Sequence, residues 1–405
     1  MTDVSSPTFE YKRKQSFSFI SVSFQKNMRS NIALAFLVVA VYHTGIGAGV
    51  PVASQDPLDL AFIMDTTGSM SSYIETARRN IHRVVDEISQ SQRQSIRFAL
   101  VEYRDHPPQD RTYVVRKHDF TSSVSTMKSW LDASKARGGG DKPEAVADAL
   151  HEASTLSWRR SAVKIAVLIS DAPPHDLDPS LGSGPQVSIT YDPIKETIQL
   201  AKQGVTLYSV GCEPAIVPYR DFFMALAFIA GGQYIPLGQP QKLIDAIIGG
   251  AQEELSLQQF SADVQAEIQK QQASGGPIDR EQIAQSVYNK LASAKTQTTQ
   301  LLLNSKPLDG PTSGAKAIAA TSSLAEARKV FVKAAPATGS VRRTSPFTLG
   351  KFGSRRRFKS KSSFPSSAIT ASASDSAGEV YTAAKSDITL EQVKRLVSKE
   401  AAAIS

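Results

Sequence analysis

The stretch DLAFIMDTTGSM, Asp59 to Met70, constrains this chain most. Leu60 to Met64 are five apolar residues in a row, the pattern of a strand covered on both faces. They run straight into Asp65, with Thr67 and Ser69 at every second position after it and Gly68 between them. A carboxylate at the edge of an apolar core is costly unless something compensates it. The i, i+2, i+4 spacing places the carboxylate and both hydroxyls on one side of a turn.

Between Asp56 and Gly250, strand-like apolar runs alternate with amphipathic stretches of helical length, the signature of an α/β fold with a doubly wound, mostly parallel sheet. The expected strands are Leu58 to Met64, Ile96 to Tyr103, Val163 to Ser170, Val205 to Gly211 and Gln233 to Leu237. The expected helices are Ser71 to Ser89, Ser123 to Ala136, Pro143 to Leu156, Pro193 to Gln203, Tyr219 to Ala230 and Gln241 to Leu255. A helical extension follows over 251–334, with helices at Glu253 to Gln272 and Asp279 to Asn304 split by SGGP. Residues 335–385 are Ser-rich, basic and poor in apolar residues, and are expected to form a disordered linker. Residues 386–405 regain helical character. Thr389 and Gln392 make a capping box, and Leu390, Val393, Leu396 and Val397 share a face, so this helix is expected to bind a second partner.

In a doubly wound sheet the ligand sits beyond the carboxyl ends of the strands. Asp65 ends the first strand, Asp171 ends KIAVLIS, and Asp141 follows three glycines in RGGGDKPEA. Three carboxylates with the hydroxyls of Thr67 and Ser69 make an oxygen-rich site for a hard divalent cation, Mg²⁺ or Ca²⁺, with Mn²⁺ as a further option. Competing readings are plain: Asp141 as a helix cap, Thr67 and Ser69 as turn residues, and Glu144 as a first-turn acid favoured by the helix dipole. His106 and His175, in RDHPP and APPHD, read as surface or supporting histidines, and Arg104 with Asp105 as a structural pair.

The phrases MDTTGSM, YRDH, GGGDKPEA and SDAPPH, starting at Met64, Tyr103, Gly138 and Ser170, resemble the von Willebrand factor A domain. The similarity is greatest to the branch associated with alpha-type protein kinases and hemicentin-like proteins, and it covers roughly Asp56 to Gly250. The resemblance implies a Rossmann-like fold with a metal-ion-dependent adhesion site. There Asp65, Thr67 or Ser69, and Asp171 would hold the metal directly or through water, and a protein partner would bind at that rim. One departure stands out: Asp141 occupies the position where adhesion-type members carry a threonine. An extra carboxylate there implies tighter intrinsic metal binding and weaker capture of an external acid.

The charge excludes one class of partner. Of the 46 Lys and Arg residues, eleven lie between Arg328 and Lys361 with no acid among them, more than the net charge of +8. The basic balance therefore belongs to the linker, and no nucleic-acid partner is expected. The single cysteine, Cys212, lies in an apolar run and reads as a buried thiol. The chain lacks a G-x-x-x-x-G-K-[ST] loop and the H-R-D and D-F-G phrases, so no enzyme activity is expected despite the kinase-associated resemblance. Residues 1–55 form a leader whose apolar segment 32–50 has the layout of a signal or anchor, and a start at Met28 would give it ordinary secretory proportions. The absence of an N-x-Ser/Thr sequon, together with the kinase-like phrases RRTS and RRRFKS, favours the cytoplasm. Secretion or membrane anchoring through 32–50 is the alternative.

Overall fold

The computed structural model describes residues 57–91, 95–181, 190–275, 278–334 and 378–404. The apolar segment 32–50 and most of the basic linker lie outside these residues. No helix among the described residues is long and apolar enough to cross a membrane.

The central sheet contains β1 (Leu58–Asp65), β2 (Ile96–Tyr103), β3 (Val115–Thr121), β4 (Val163–Ser170), β5 (Val205–Cys212) and β6 (Tyr234–Leu237). Its order is β3-β2-β1-β4-β5-β6, parallel throughout except for the β2 to β3 pairing. The expected doubly wound sheet is present. The strand β3, VRKHDFT, has no apolar run to announce it; it lies half-exposed at an edge, where charged side chains protect the unpaired backbone.

Around the sheet lie α1 (Ser71–Ser91), α2 (Val124–Ala133), α3 (Val146–Ser154), α4 (Pro193–Lys202), α5 (Arg220–Ile229) and α6 (Leu243–Gln258). Strand periodicity divides the core into two layers. Leu60, Phe62 and Met64 join Ile165 and Val167 beneath α1 and α6. Ala61 and Ile63 join Ala99 and Val101 beneath α3, α4 and α5. Every residue of β1 is buried, because both of its faces are covered and it has a parallel neighbour on each side.

The remaining elements are α7 (Ser261–Ala273), α8 (Arg280–Ser293), β7 (Gln297–Leu303), β8 (Lys306–Pro307), α9 (Ser313–Ala319), α10 (Leu324–Val330), β9 (Tyr381–Asp387) and α11 (Leu390–Ile404). Three sequence expectations change here. The helix expected from Asp279 to Asn304 ends at Ser293; Lys295 adopts a φ of 53°, and QTTQLLL becomes β7 at the centre of a second sheet, β8-β7-β9. Residues 381–385, expected in the disordered linker, belong to β9, which pairs antiparallel with β7 from Gln297↔Asp387 to Leu303↔Tyr381. The terminal helix within 386–405, expected to seek a second partner, is seated on its own chain.

That seating has both apolar and ionic parts. The capping box forms, with Gln392 N donating to Thr389 Oγ1 at 3.2 Å and Thr389 N to Gln392 Oε1 at 3.1 Å. Val393, Leu396 and Val397 pack with Val264, Ile268, Ile283 and Val287. On the adjoining face, buried Arg395 pairs with Glu253 at 3.1 Å and donates to the Tyr208 hydroxyl at 2.8 Å. Lys399 pairs with Glu254 at 2.7 Å. Buried charges are tolerable when matched in this way, and α11 supplies both cations to the two acids of α6.

Candidate metal centre

The strand order reverses between β1 and β4, so loops leave their carboxyl ends in opposite directions and open a crevice at that point. Asp65 is the last residue of β1, and Asp171 follows the last residue of β4. Thr66 anchors the first loop, its N and Oγ1 each donating to Tyr103 O at 2.9 Å. The loop bearing the three glycines closes over it through Gly68 N to Gly138 O at 3.3 Å and Arg137 N to Thr66 O at 3.1 Å. Gly138 and Gly139 have φ of 71° and 73°, and a Cβ on Gly138 would come within 1.7 Å of Asp110 Oδ2. Both the backbone hand and the space there require glycine.

Asp65 is 0% exposed. Its Oδ1 accepts from Thr67 N at 2.8 Å and from Thr67 Oγ1 at 2.6 Å. Its Oδ2 is buried with no hydrogen-bond partner among the described residues. Burial, and then the charge of Asp171, push the Asp65 carboxyl up to about 7 against the lowering influence of Thr67. Ser69 Oγ lies 3.3 Å from Thr67 Oγ1, and its hydroxyl acts on the Asp171 carboxyl. Asp171 is half-buried, and burial raises its carboxyl while the Ser69 hydroxyl lowers it. Asp65, Thr67, Ser69 and Asp171 are thus brought together at one rim.

Asp141 has no hydrogen bond to that group among the described residues. Its side chain is exposed, with Gln109 Nε2 at 3.4 Å from Oδ2, and burial and the neighbouring Asp105 raise its carboxyl. Nor does it cap α3, which starts at Val146 without a side-chain cap. The acid that enters the rim is Glu144. A Cβ at Gly139 would lie 3.0 Å from Glu144 Oε1 and 3.2 Å from Thr67 Cβ, so both side chains flank one point. Glu144 is 3% exposed, and its Oε2 has no partner among the described residues. Its amide donates to Pro173 O at 2.9 Å, tying it to the loop after Asp171. Burial and the charges of Asp65, Asp105 and Asp171 push its carboxyl up to about 10. In the sequence Glu144 looks like a helix acid; in the structure it precedes α3 and pairs as an isolated parallel bridge with Pro174 of the loop after β4.

Three buried or half-buried acids, two of them with an unpartnered oxygen, form a donor set short of positive charge. The set fits a hard divalent cation, which takes oxygen ligands and would offset the burial that raises all three carboxyls and the carboxylate repulsion that adds to it at Asp65 and Glu144.

Arg104 turns away from Asp105. Its guanidinium donates to Thr112 Oγ1 and Lys135 O, each at 2.6 Å, and lies over the Tyr113 ring. Asp105 is paired with His175 instead. The Cys212 thiol is buried, as the sequence indicates.

Residues 59–182 match the family model of the von Willebrand factor A domain. An alpha-protein kinase from Dictyostelium discoideum, vwkA, is 28% identical over 127 residues, which is 31% of this chain and 20% of that protein. A putative ariadne-like RING finger protein of Acanthamoeba polyphaga mimivirus is 23% identical over 196 residues, 45% of this chain and 18% of that protein. The matched region is thus about a fifth of the length of these relatives. Among solved structures, the pilus adhesin SpaC of Lactobacillus rhamnosus GG is similar with a TM-score of 0.37 and 14% identity, over 50% of this chain and 30% of that one. A proximal thread matrix protein from the mussel byssus is similar with a TM-score of 0.34 and 16% identity, over 49% of this chain and 46% of that one. The motif residues, the sheet order and the family match agree: this chain carries a von Willebrand factor A domain.

Proposed function

We propose that the domain is a divalent-cation-dependent protein-binding module, with its binding face at the rim formed by Asp65, Thr67, Ser69, Asp171 and Glu144. The observation that carries this reading is the fully buried Asp65 carboxylate, which has one oxygen without a partner beside two further acids. Mg²⁺, Ca²⁺ or Mn²⁺ held there would offer a partner's acidic side chain an electrophilic position. With Glu144 in the set, three carboxylates would outweigh the ion's two charges. Partner binding should then lean less on a single captured acid and more on the surrounding loop surface.

The similarity to the Dictyostelium alpha-protein kinase covers 127 residues, 20% of that protein, and the phrases G-x-x-x-x-G-K-[ST], H-R-D and D-F-G are missing from this sequence. We therefore infer a non-catalytic relative of such kinases, acting by recognition; the phrases RRTS and RRRFKS and the lack of an N-x-Ser/Thr sequon favour the cytoplasm as its compartment. Fractionation of a tagged chain that found it secreted or membrane-bound would replace the cytoplasmic reading with the adhesion-protein one.

The functional test is a quantitative binding assay against partners cross-linked to the chain in Mg²⁺. Wild type should lose binding in EDTA and regain it on adding Mg²⁺, and Asp65→Ala should fail in both conditions. Binding unchanged by EDTA and by Asp65→Ala would discard the metal-mediated function.

A further inference from the structure

On the other side of Glu144, which feels the charges of both Asp65 and Asp105, a second set of ligating atoms converges. Asp105 and His106 come from the turn after β2, and His175 comes from the loop after β4. One ligating atom from each lies within 4.8 Å of the other two. His175 Nε2 meets Asp105 Oδ1 directly. His106 Nδ1 is buried without a hydrogen-bond partner, 3.8 Å from that same oxygen. Asp105 is 0% exposed, and its Oδ2 is buried with no partner among the described residues.

The outward nitrogen of His106 completes the pattern. His106 Nε2 lies 3.3 Å from Asp148 Oδ2 on α3. An imidazole with one bare nitrogen near a buried carboxylate, and the other nitrogen beside a second carboxylate oxygen that has no other partner among the described residues, resembles the arrangement of metal-ligating histidines. A small cavity of ≈ 10 Å³ lined by His106, Glu144, Asp148 and His175 adjoins the cluster. Two imidazole nitrogens with carboxylate oxygens suit the zinc class, whereas a hard cation favours an all-oxygen set such as the rim. Asp141 is exposed, and Asp105 and His175 both act on its carboxyl, which makes it the candidate for an outer fourth ligand beyond the three clustered atoms.

We propose that Asp105, His106 and His175 form a transition-metal site of the zinc class, with Asp148 orienting His106 and Asp141 as the outer ligand. This site is separate from the hard-cation rim and does not rest on it. It assigns a role to the two histidines and to Asp141, none of which the rim uses.

The test is titration of the chelator-stripped full chain with Zn²⁺ and with Co²⁺ in excess Mg²⁺. One equivalent of zinc should bind per chain, and cobalt should give the visible absorption of a tetrahedral nitrogen-and-oxygen site. The His106→Asn/His175→Asn double variant should lose zinc binding. Asp148→Asn, which keeps the ligands and the shape, should weaken it by about tenfold or more. Asp65→Ala should lose the magnesium site while keeping zinc, which separates failure of this proposal from failure of the rim. A wild-type chain that takes up no zinc, or undiminished zinc affinity in the double variant, would overturn the assignment.

Discussion

Asp59 and Asp65 stand at opposite ends of β1, both 0% exposed, and only Asp59 has guanidinium partners. Arg97 pairs with Asp59 at 2.7 Å and Arg159 at 2.8 Å, and Arg159 N donates to it at 2.8 Å. Asp65 has only the two donors of Thr67 on one oxygen. One strand therefore carries a compensated carboxylate at its start and an uncompensated one at its carboxyl end, and the two should respond oppositely to removal.

Asp59→Ala is expected to destabilise the protein by about 3 kcal/mol, the low end for breaking a buried ion pair because both arginines still reach water. Asp65→Asn should instead leave the metal-free protein as stable or more stable at pH 8, since it removes a strained charge. Urea unfolding of both variants in EDTA checks the contrast; equal losses would show that Asp65 is compensated after all.

The stability of the metal-free protein should fall as pH rises. The Asp65 carboxyl, ordinarily at 3.8, is raised to about 7 in the folded chain, and Glu144, ordinarily at 4.5, to about 10. Above the ordinary values the unfolded chain has lost these protons while the folded chain keeps them. Protons therefore favour the fold, and that advantage drains away between about pH 4 and pH 7 for Asp65 and up to about pH 10 for Glu144. Scanning calorimetry in EDTA should give a lower melting temperature at pH 8 than at pH 5.5, and Mg²⁺ should raise it more at pH 8. A melting temperature in EDTA that does not fall between these pH values would contradict the raised carboxyls.

Glu144 and Asp141 are predicted to exchange the roles that their sequence positions suggest. Glu144→Gln should weaken Mg²⁺ or Mn²⁺ binding by about tenfold or more, while Asp141→Asn should leave it within about twofold. Calorimetric titration of the two variants decides; a strong loss from Asp141→Asn with none from Glu144→Gln would return Asp141 to the rim.

The strands β1, β2 and β4 were legible because burial on both faces turns them into unbroken apolar runs, and the rim at Asp65 and Asp171 followed from where those runs end. What stayed hidden depends on distant partners. Strand β7 is polar and Leu-rich and becomes a strand only because β9, some eighty residues later, pairs with it. Arg395 and Lys399 look like solvent-facing helix cations until Glu253 and Glu254 come to meet them. The inward turn of Glu144 likewise depends on the fold of the glycine loop around Thr67, which spacing alone does not specify.

The terminal helix should behave as part of the fold. Arg395→Ala leaves Glu253 and Tyr208 facing a void in the interior and is expected to cost about 3 to 5 kcal/mol, measurable by denaturant unfolding. A loss below about 1 kcal/mol, the range of exposed pairs, would indicate that α11 leaves its seat readily in solution.

Asp65, Asp171 and Glu144 are proposed to pool their oxygens on one hard divalent cation. Isothermal titration of Mg²⁺ and Mn²⁺ into the chelator-stripped full chain at pH 7.5, repeated with Asp65→Asn, tests it most directly. Wild type should give a one-to-one rim isotherm for each ion, and the variant none. Wild-type protein that takes up neither ion at the rim, or a variant that binds them as tightly as wild type, would contradict it.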